Sequence, residues 1–335
     1  MPRRLPAPLL TIALAMPVVV TLAVGGCATT APAATPESTT ATAVAFPRTL
    51  DVPAGAAGPA HELLIEAEPL RIAALSYETA ELVAELGLAD RLVLVPEAVL
   101  NPALSNHLPQ MAAVETTIPT ERDADPEAII ATAPDLVLLS PRHDLEDGLA
   151  DVLSAAGIPV LSMPDPWSSP TGIAADVRLV GTATGADAAA ERLATALETG
   201  LVASEDAGAA DAPRILVLGN QAGRPFITAG SAFPLELVRL AGGVDVSAEL
   251  GVTTTGPISV EQLIAADPDG ILLIDMNGSG ETLFAPVLDT PAAATVTAVA
   301  DDRILLLEGR QVQALGLLAT IDGLDALTEW IGSLR

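Results

Sequence analysis

Two stretches of this chain, "DPEAIIATAPDLVLLS" (Asp125–Ser140) and "SVEQLIAADPDGILLI" (Ser259–Ile274), carry nearly the same message 134 residues apart. Glu, Ile-Ala, Pro-Asp and Leu-Leu fall at matched places in both. In each copy the Glu lies in the first turn of a short helix, where a carboxylate suits the positive end of the dipole. Pro-Asp then stops the helix and turns the chain, because the residue before a proline is pushed out of helical geometry. Leu-Leu follows in a buried strand. A helix, a turn and a strand stated twice predict two lobes of like architecture.

The flanking sequence extends the same alternation. "LRIAALS" (70–76) reads as a strand and "YETAELVAELGL" as a helix ended by Gly87. "RLVLVP" is the next strand, "GLADVLSAAG" a helix and "IPVLSM" a strand. Strands this continuously apolar, alternating with helices, predict a parallel sheet covered on both faces. The texture changes from residue 166 to 210, where about 40 residues keep helical periodicity without a strand. This stretch reads as a helical connector, broken near Gly181–Gly185. From Arg214 the alternation resumes with "RILVLG", "PFITAG", the helix "FPLELVRLAGG" and the second copy of the repeat. "DDRILLLEG" is a late strand, and "DGLDALTEWIGSL" closes the chain as an amphipathic helix. The expected fold class is α/β, with two Rossmann-like lobes (61–165 and 211–335) joined by the connector.

Composition narrows the function. The chain has 335 residues, 15 basic against 43 acidic for a net charge of −28, and every basic residue is Arg. Such a balance excludes a nucleic-acid partner. Half of the residues are hydrophobic but only 2% are aromatic, so the cores are built from Ala, Val, Leu and Ile. The first 26 residues have the form of an export leader, with Arg3 and Arg4 ahead of an apolar run from Leu9 to Val24. "VGGC" resembles the lipobox of bacterial lipoproteins, which implies cleavage before Cys27 and diacylation of its thiol. The other reading is an ordinary leader with an incidental cysteine. Cys27 is the only cysteine, so no intramolecular disulfide and no Cys-based zinc cluster can form. Residues 27–60, rich in Ala, Thr, Pro and Gly, read as a flexible tether. The expected product is extracytoplasmic, anchored by lipid to the outer face of the cytoplasmic membrane.

From Leu70 onward the order of these phrases resembles the iron-complex, heme and cobalamin class of solute-binding proteins that serve ATP-driven importers. "LRIAALSYETAELVAELGLADRLVLVP" is similar to that family's opening, "RLVGTATGADAAAERLATAL" to its connecting helix, and "LVRLAGGVDVSAEL" with "ISVEQLIAADPDGILLI" to its second lobe. The resemblance implies a ligand held in the cleft between the lobes, with modest closure and no turnover. It also implies partners: an ABC permease, its ATPase and a metal chelate. It implies a monomer without cofactor, in which iron enters as cargo.

Several residues follow the strands and so face the expected cleft. "LDTPAAATVTAVADDRILLLEGRQVQALGLL" looks most like the heme branch, which implies an axial donor for the iron. His143 in "SPRHD" is the best placed of His61, His107 and His143, with Tyr77 after the first strand as another. Thr255 stands where that branch often carries a tyrosine, a departure that favours other ligands. An anionic siderophore calls for Arg, and Arg142, Arg224 and Arg310 each follow a strand. A flat corrinoid, the alternative ligand, would stack on Trp167. Asn220, Asn277 and Gln311 are further polar candidates at strand ends, with Gln221. The resemblance also implies one docking carboxylate per lobe for the permease, read here as Glu97 and Glu236.

A Rossmann-type enzyme is the rival class. The turn after the first strand, "SYETAE", carries no Gly-rich phosphate loop. No G-x-S-x-G elbow occurs either, and three histidines are too few for a catalytic constellation or a zinc receptor.

Overall fold

The computed structural model describes residues 45–56, 58–119, 124–140, 146–165, 167–221 and 223–335. Its first element corrects the expected tether. Arg48–Val52 (β1) pairs antiparallel with His61–Ile65 (β2), so ordered structure begins a dozen residues before position 60. Alternation in "RTLDV" turns Leu50 and Val52 inward, and both are buried in the main core. Arg48 holds the hairpin to the connector by donating to the carbonyl of Thr182 and pairing with Asp187.

In lobe one, five strands form a wholly parallel sheet. They are Ile72–Ala74 (β3), Leu92–Pro96 (β4), Thr116–Ile118 (β5), Leu136–Leu139 (β6) and Val160–Ser162 (β7), in the order β5-β4-β3-β6-β7. The connector is two helices, Pro170–Thr184 and Asp187–Gly200, folded back on each other. Gly185 makes the break, with φ at 78° in the left-handed region that a residue without Cβ adopts at little cost.

Lobe two carries Arg214–Gln221 (β8), Arg224–Ile227 (β9), Val244–Asp245 (β10), Gly256–Pro257 (β11), Gly270–Asp275 (β12) and Ile304–Glu308 (β13). The order is β11-β9-β8-β12-β13, with β10 beside the start of β8. The expected parallel sheet holds for β8, β10, β12 and β13. It does not hold for β9 and β11, which are antiparallel. The link from β8 to β9 is too short for a crossover, so the chain can only double back.

Side chains alternate across both sheets, so each sheet divides two cores. Leu136 and Leu138 of β6 face the same large cluster as Leu272 and Ile274 of β12. Val137 and Leu139 face a core private to lobe one, and Ile271 and Leu273 one private to lobe two. The shared cluster also takes in the connector and the closing helix Ala319–Ser333, through Val177, Val180, Leu327 and Ile331. Among the described residues no helix is long and apolar enough to cross a membrane.

The repeat is a clasp. Asp125 caps the helix Pro126–Ala131, and Ser259 caps Val260–Ala266 through a capping box with Gln262. Each helix ends on a non-glycine residue in the left-handed region, Ala133 at φ 46° and Asp267 at φ 34°. The Pro-Asp carboxylate then grips the start of the neighbouring strand. Asp135 accepts the backbone N–H groups of Leu70 and Arg71, and Asp269 accepts that of Arg214. In return Arg71 donates to the carbonyls of Thr132 and Ala133, and Arg214 to those of Ala266 and Asp267. A helix leaves its last carbonyls without internal partners, and a guanidinium at that end also suits the dipole.

Candidate functional site between the strand ends

The segments past the carboxyl ends of β4, β12 and β13 meet at one seam. After β4 the chain enters a 3₁₀ turn, Glu97–Leu100, and a segment from Asn101 to Asn106. Asn101 Nδ2 donates to the carbonyl of Met276, just past β12, at 2.8 Å. The backbone N–H of Arg310, just past β13, donates to the carbonyl of Ala103 at 2.9 Å. Asn106 Nδ2 donates to the carbonyl of Gly316 at 3.0 Å. Gly309 permits this approach, since a Cβ there would lie 2.5 Å from Leu104 Cδ2.

Beyond β12 a loop is built around one carboxylate. Asp275 is 5% exposed and accepts the backbone N–H groups of Asn277, Ser279 and Gly280 and the side-chain amide of Asn220. Burial acts to raise its pKa, but these donors together hold it below the usual carboxylate value. Asn220 Oδ1 accepts in turn from Met276 N–H and Asn277 Nδ2. In lobe one β6 is followed by Ser140. There Ser76 Oγ, Ser140 Oγ and the Trp167 indole N–H form a buried chain, with contacts of 2.8 and 2.9 Å.

A family model for the periplasmic binding proteins matches residues 72–310, which span both sheets and the connector. The chain belongs to the periplasmic binding protein family. Solved structures agree on the fold. One is a periplasmic heme-binding protein, RhuT, from Roseiflexus sp. RS-1, at 23% identity and TM-score 0.62, covering 79% of this chain and 98% of that one. Another is an ABC-type Fe3+-hydroxamate transport protein from Saccharomonospora viridis, at 22% and 0.63, covering 86% of this chain and all of that one. A third is a periplasmic heme-binding protein from Pseudomonas aeruginosa, at 23% and 0.62, covering 80% and 94%. No curated protein matches the chain. Members of this family bind solutes outside the cytoplasm and are not enzymes, so the Rossmann-enzyme alternative falls away.

Within this periplasmic binding protein the expected site residues take different places. Tyr77 is half-buried at the start of the helix Tyr77–Glu85. Arg142, His143 and Cys27 lie outside the described residues. Trp167 is 2% exposed and packed in the main core, and so offers no stacking face. Asn220 is fully buried, so it orders the loop after β12 instead of reaching into the cleft. Asn277 is exposed on that loop. Arg224 is exposed at the β8–β9 turn, its guanidinium 5.9 Å from the centroid of the Phe226 ring.

Thr255 is exposed and exchanges hydrogen bonds with the backbone of Ala229, which ties β11 to β9. Arg310 is half-buried, held by Glu308 at 2.6 Å and reaching Asn106 Oδ1 across the seam at 3.4 Å. Gln311 caps its own helix, its Oε1 accepting from Glu308 N–H. Glu97 is exposed, whereas both oxygens of Glu236 are taken by Arg239. His61 is exposed on β2, and His107 Nε2 lies 2.7 Å from Glu85.

Sequence reasoning missed three groups. Asn101 and Asn106 sit in "VLNPALSNHLP", a Pro- and Asn-rich stretch that signals a structured loop. Asp275 opens the loop "DMNGSG" directly after a strand. Asp176, on the first connector helix, is 2% exposed with one carboxylate oxygen unpartnered among the described residues. Burial, then the nearby charge of Asp165, pushes its pKa up to about 8. A hollow of about 640 Å³ beside Arg71, Leu92 and Thr116 lies at the amino ends of the lobe-one strands, away from the seam.

Proposed function

We propose that the chain is the receptor of an ATP-driven importer, anchored by a lipid on Cys27, and that it captures an anionic iron chelate between its lobes. Heme, with its two propionate carboxylates, and a carboxylate- or catecholate-bearing ferric siderophore both have this chemistry. The observation that carries the reading is Arg224. In so acidic a chain most described guanidinium groups are tied to carboxylates or helix-end carbonyls. Arg224 makes no ion pair among the described residues and sits at a strand end of lobe two. An exposed cation there suits bidentate capture of an anionic ligand. Arg310 supplies a second cation at the seam.

Relatives of the same fold are named for heme and for Fe3+-hydroxamate transport, which supports an iron chelate as the cargo. His143 is the axial donor if the ligand is heme, with Tyr77 as the other candidate. The burial of Trp167 takes away the platform a corrinoid would stack on. Glu97 and Glu236 are the carboxylates that meet the permease, and delivery is by a monomer.

Titrating the purified protein with hemin, a ferric siderophore and cobalamin, followed by tryptophan fluorescence and absorbance, tests this. One chelate should bind per chain at micromolar affinity or better, and Arg224→Ala should weaken it about tenfold. A Soret shift abolished by His143→Ala assigns heme. Saturable binding of cobalamin alone would overturn the reading.

A further inference from the structure

The helix Tyr77–Glu85 packs against the turn Ala314–Gly316 of lobe two, and its inward carboxylate has a defined task. Glu81 is 1% exposed. Its Oε1 accepts the Ser105 hydroxyl at 2.5 Å, and its Oε2 accepts the Asn106 backbone N–H at 3.0 Å. Ser105 Oγ also accepts the N–H of His107 at 3.1 Å, so one carboxylate fixes three consecutive residues. Asn106 is thereby aimed across the seam, donating to the carbonyl of Gly316 and accepting from Arg310 Nη1. Glu308 grips the far side of that guanidinium through Nε and Nη2. The arginine at the meeting line is therefore held from lobe two by Glu308 and from lobe one by an asparagine that Glu81 orients.

We infer that Glu81 is a positioning residue of the ligand cleft, setting Arg310 through Asn106. This rests on the reading of Arg310 as a ligand contact. The relay also makes the setting sensitive to acid. Burial raises the Glu81 pKa above the ordinary carboxylate value, against the lowering effects of Ser105, Asn106 and His107. A carboxylate with a raised pKa takes up a proton on acidification before its exposed counterparts do, and a protonated carboxyl is the weaker acceptor. The charged and titratable neighbours are Glu78 and Glu85 on the same helix, His107 beside it, and Arg310 with Glu308 across the seam. His107 is itself held protonated above its ordinary value, first by its bond to Glu85.

The test uses the full chain with hemin and a ferric siderophore as probes, alongside hydrogen exchange of the unliganded protein. Glu81→Gln replaces one acceptor oxygen by a donor and should weaken chelate binding about fivefold. Asn106→Ala should do the same, and is the milder change because its side chain lies at the seam and not under the helix. In an Arg310→Ala background, Glu81→Gln should add nothing, since the cycle closes only if Glu81 acts through that arginine. The affinity of the wild-type chain should fall on acidification before exposed carboxylates titrate, and Glu81→Gln should flatten that fall. Exchange at the Arg310 amide, which donates to Ala103, should quicken in Glu81→Gln, while the amides of Ser279 and Gly280 stay protected. Full additivity with Arg310→Ala, or unchanged exchange at Arg310, would overturn the relay even if hemin binds well. Failure of the wild-type chain to bind either chelate, with the exchange response intact, would overturn the ligand reading and leave the relay standing.

Discussion

Lobe one and lobe two fasten their sheets with the same clasp and then differ in the described hydrogen bonds past their central strands. Asp135 and Asp269 grip the neighbouring strand alike, and Arg71 and Arg214 cap the two helices alike. Past that point Ser140 joins a neutral chain with Ser76 and Trp167, whereas Asp275 gathers backbone N–H groups around a buried charge. Repeated residues hold the scaffold, and the residues immediately after them differ.

The largest effects should come from the repeat itself. Leu138 and Leu272 hold matched places, both fully buried in the shared core. Leu138→Ala and Leu272→Ala should each cost about 2–5 kcal/mol in denaturant unfolding. Costs that differ by more than about 2 kcal/mol would break the equivalence of the lobes.

The connector belongs to neither lobe and carries the next effect. Asp176 has a folded-state pKa of about 8 against an ordinary 3.8. An acid raised in this way binds a proton in the folded state that the unfolded chain has already lost. Stability therefore falls as pH rises from about 4 to about 8, and is fullest at the acid end of that window. Asp176→Asn should remove that slope and stabilise the protein by about 2–4 kcal/mol at neutral pH, read as a rise in Tm at pH 7 and little change at pH 4.

The strand ends supply the third contrast. Asp275→Asn should cost about 2–3 kcal/mol, because a buried charged acceptor is lost and a donor is set against several N–H groups. Ser140→Ala should cost about 1 kcal/mol. The Asp275 pKa is lowered in the fold, so its contribution is present at neutral pH and lost as pH falls through that depressed value. Similar costs for the two variants at neutral pH would show that the charge is not what shapes this loop.

The smallest effect separates two residues with the same backbone. Ala133→Gly should stabilise by about 0.5–1 kcal/mol by relieving a left-handed alanine. Asp267→Gly should be close to neutral, since its Oδ1 also accepts the N–H of Thr297 and that bond would be lost. Differential scanning calorimetry of the pair resolves the difference.

Much of this scaffold is legible in periodicity, because buried parallel strands and capped helices leave local signatures. The two lobes, the broken connector and the role of the repeat are readable from "PD", "LL" and the spacing of apolar residues. The β1–β2 hairpin is not, since "RTLDV" is a single short alternation embedded in Ala, Gly and Pro. The reversal of β9 escapes because strand direction depends on a turn and not on the strand's composition. The site is less readable still. Trp167 lies between lobe one and the connector as expected, but its ring is buried and its indole N–H is bonded to Ser140. The bonds of Asn220 to Asp275 and of Asn106 to Arg310 join residues 55 and 204 positions apart, a kind of contact that no local pattern announces.

We propose that ligand binding lies in the unrepeated residues past the strands. It is tested most directly by titrating hemin and a ferric siderophore into the wild-type chain, Arg224→Ala and Arg71→Ala at a temperature where all three are folded. One saturable site is expected, weakened about tenfold by Arg224→Ala and unchanged by Arg71→Ala, which loosens only the clasp. Equal affinities for the wild-type chain and Arg224→Ala, or a loss confined to Arg71→Ala, would contradict it.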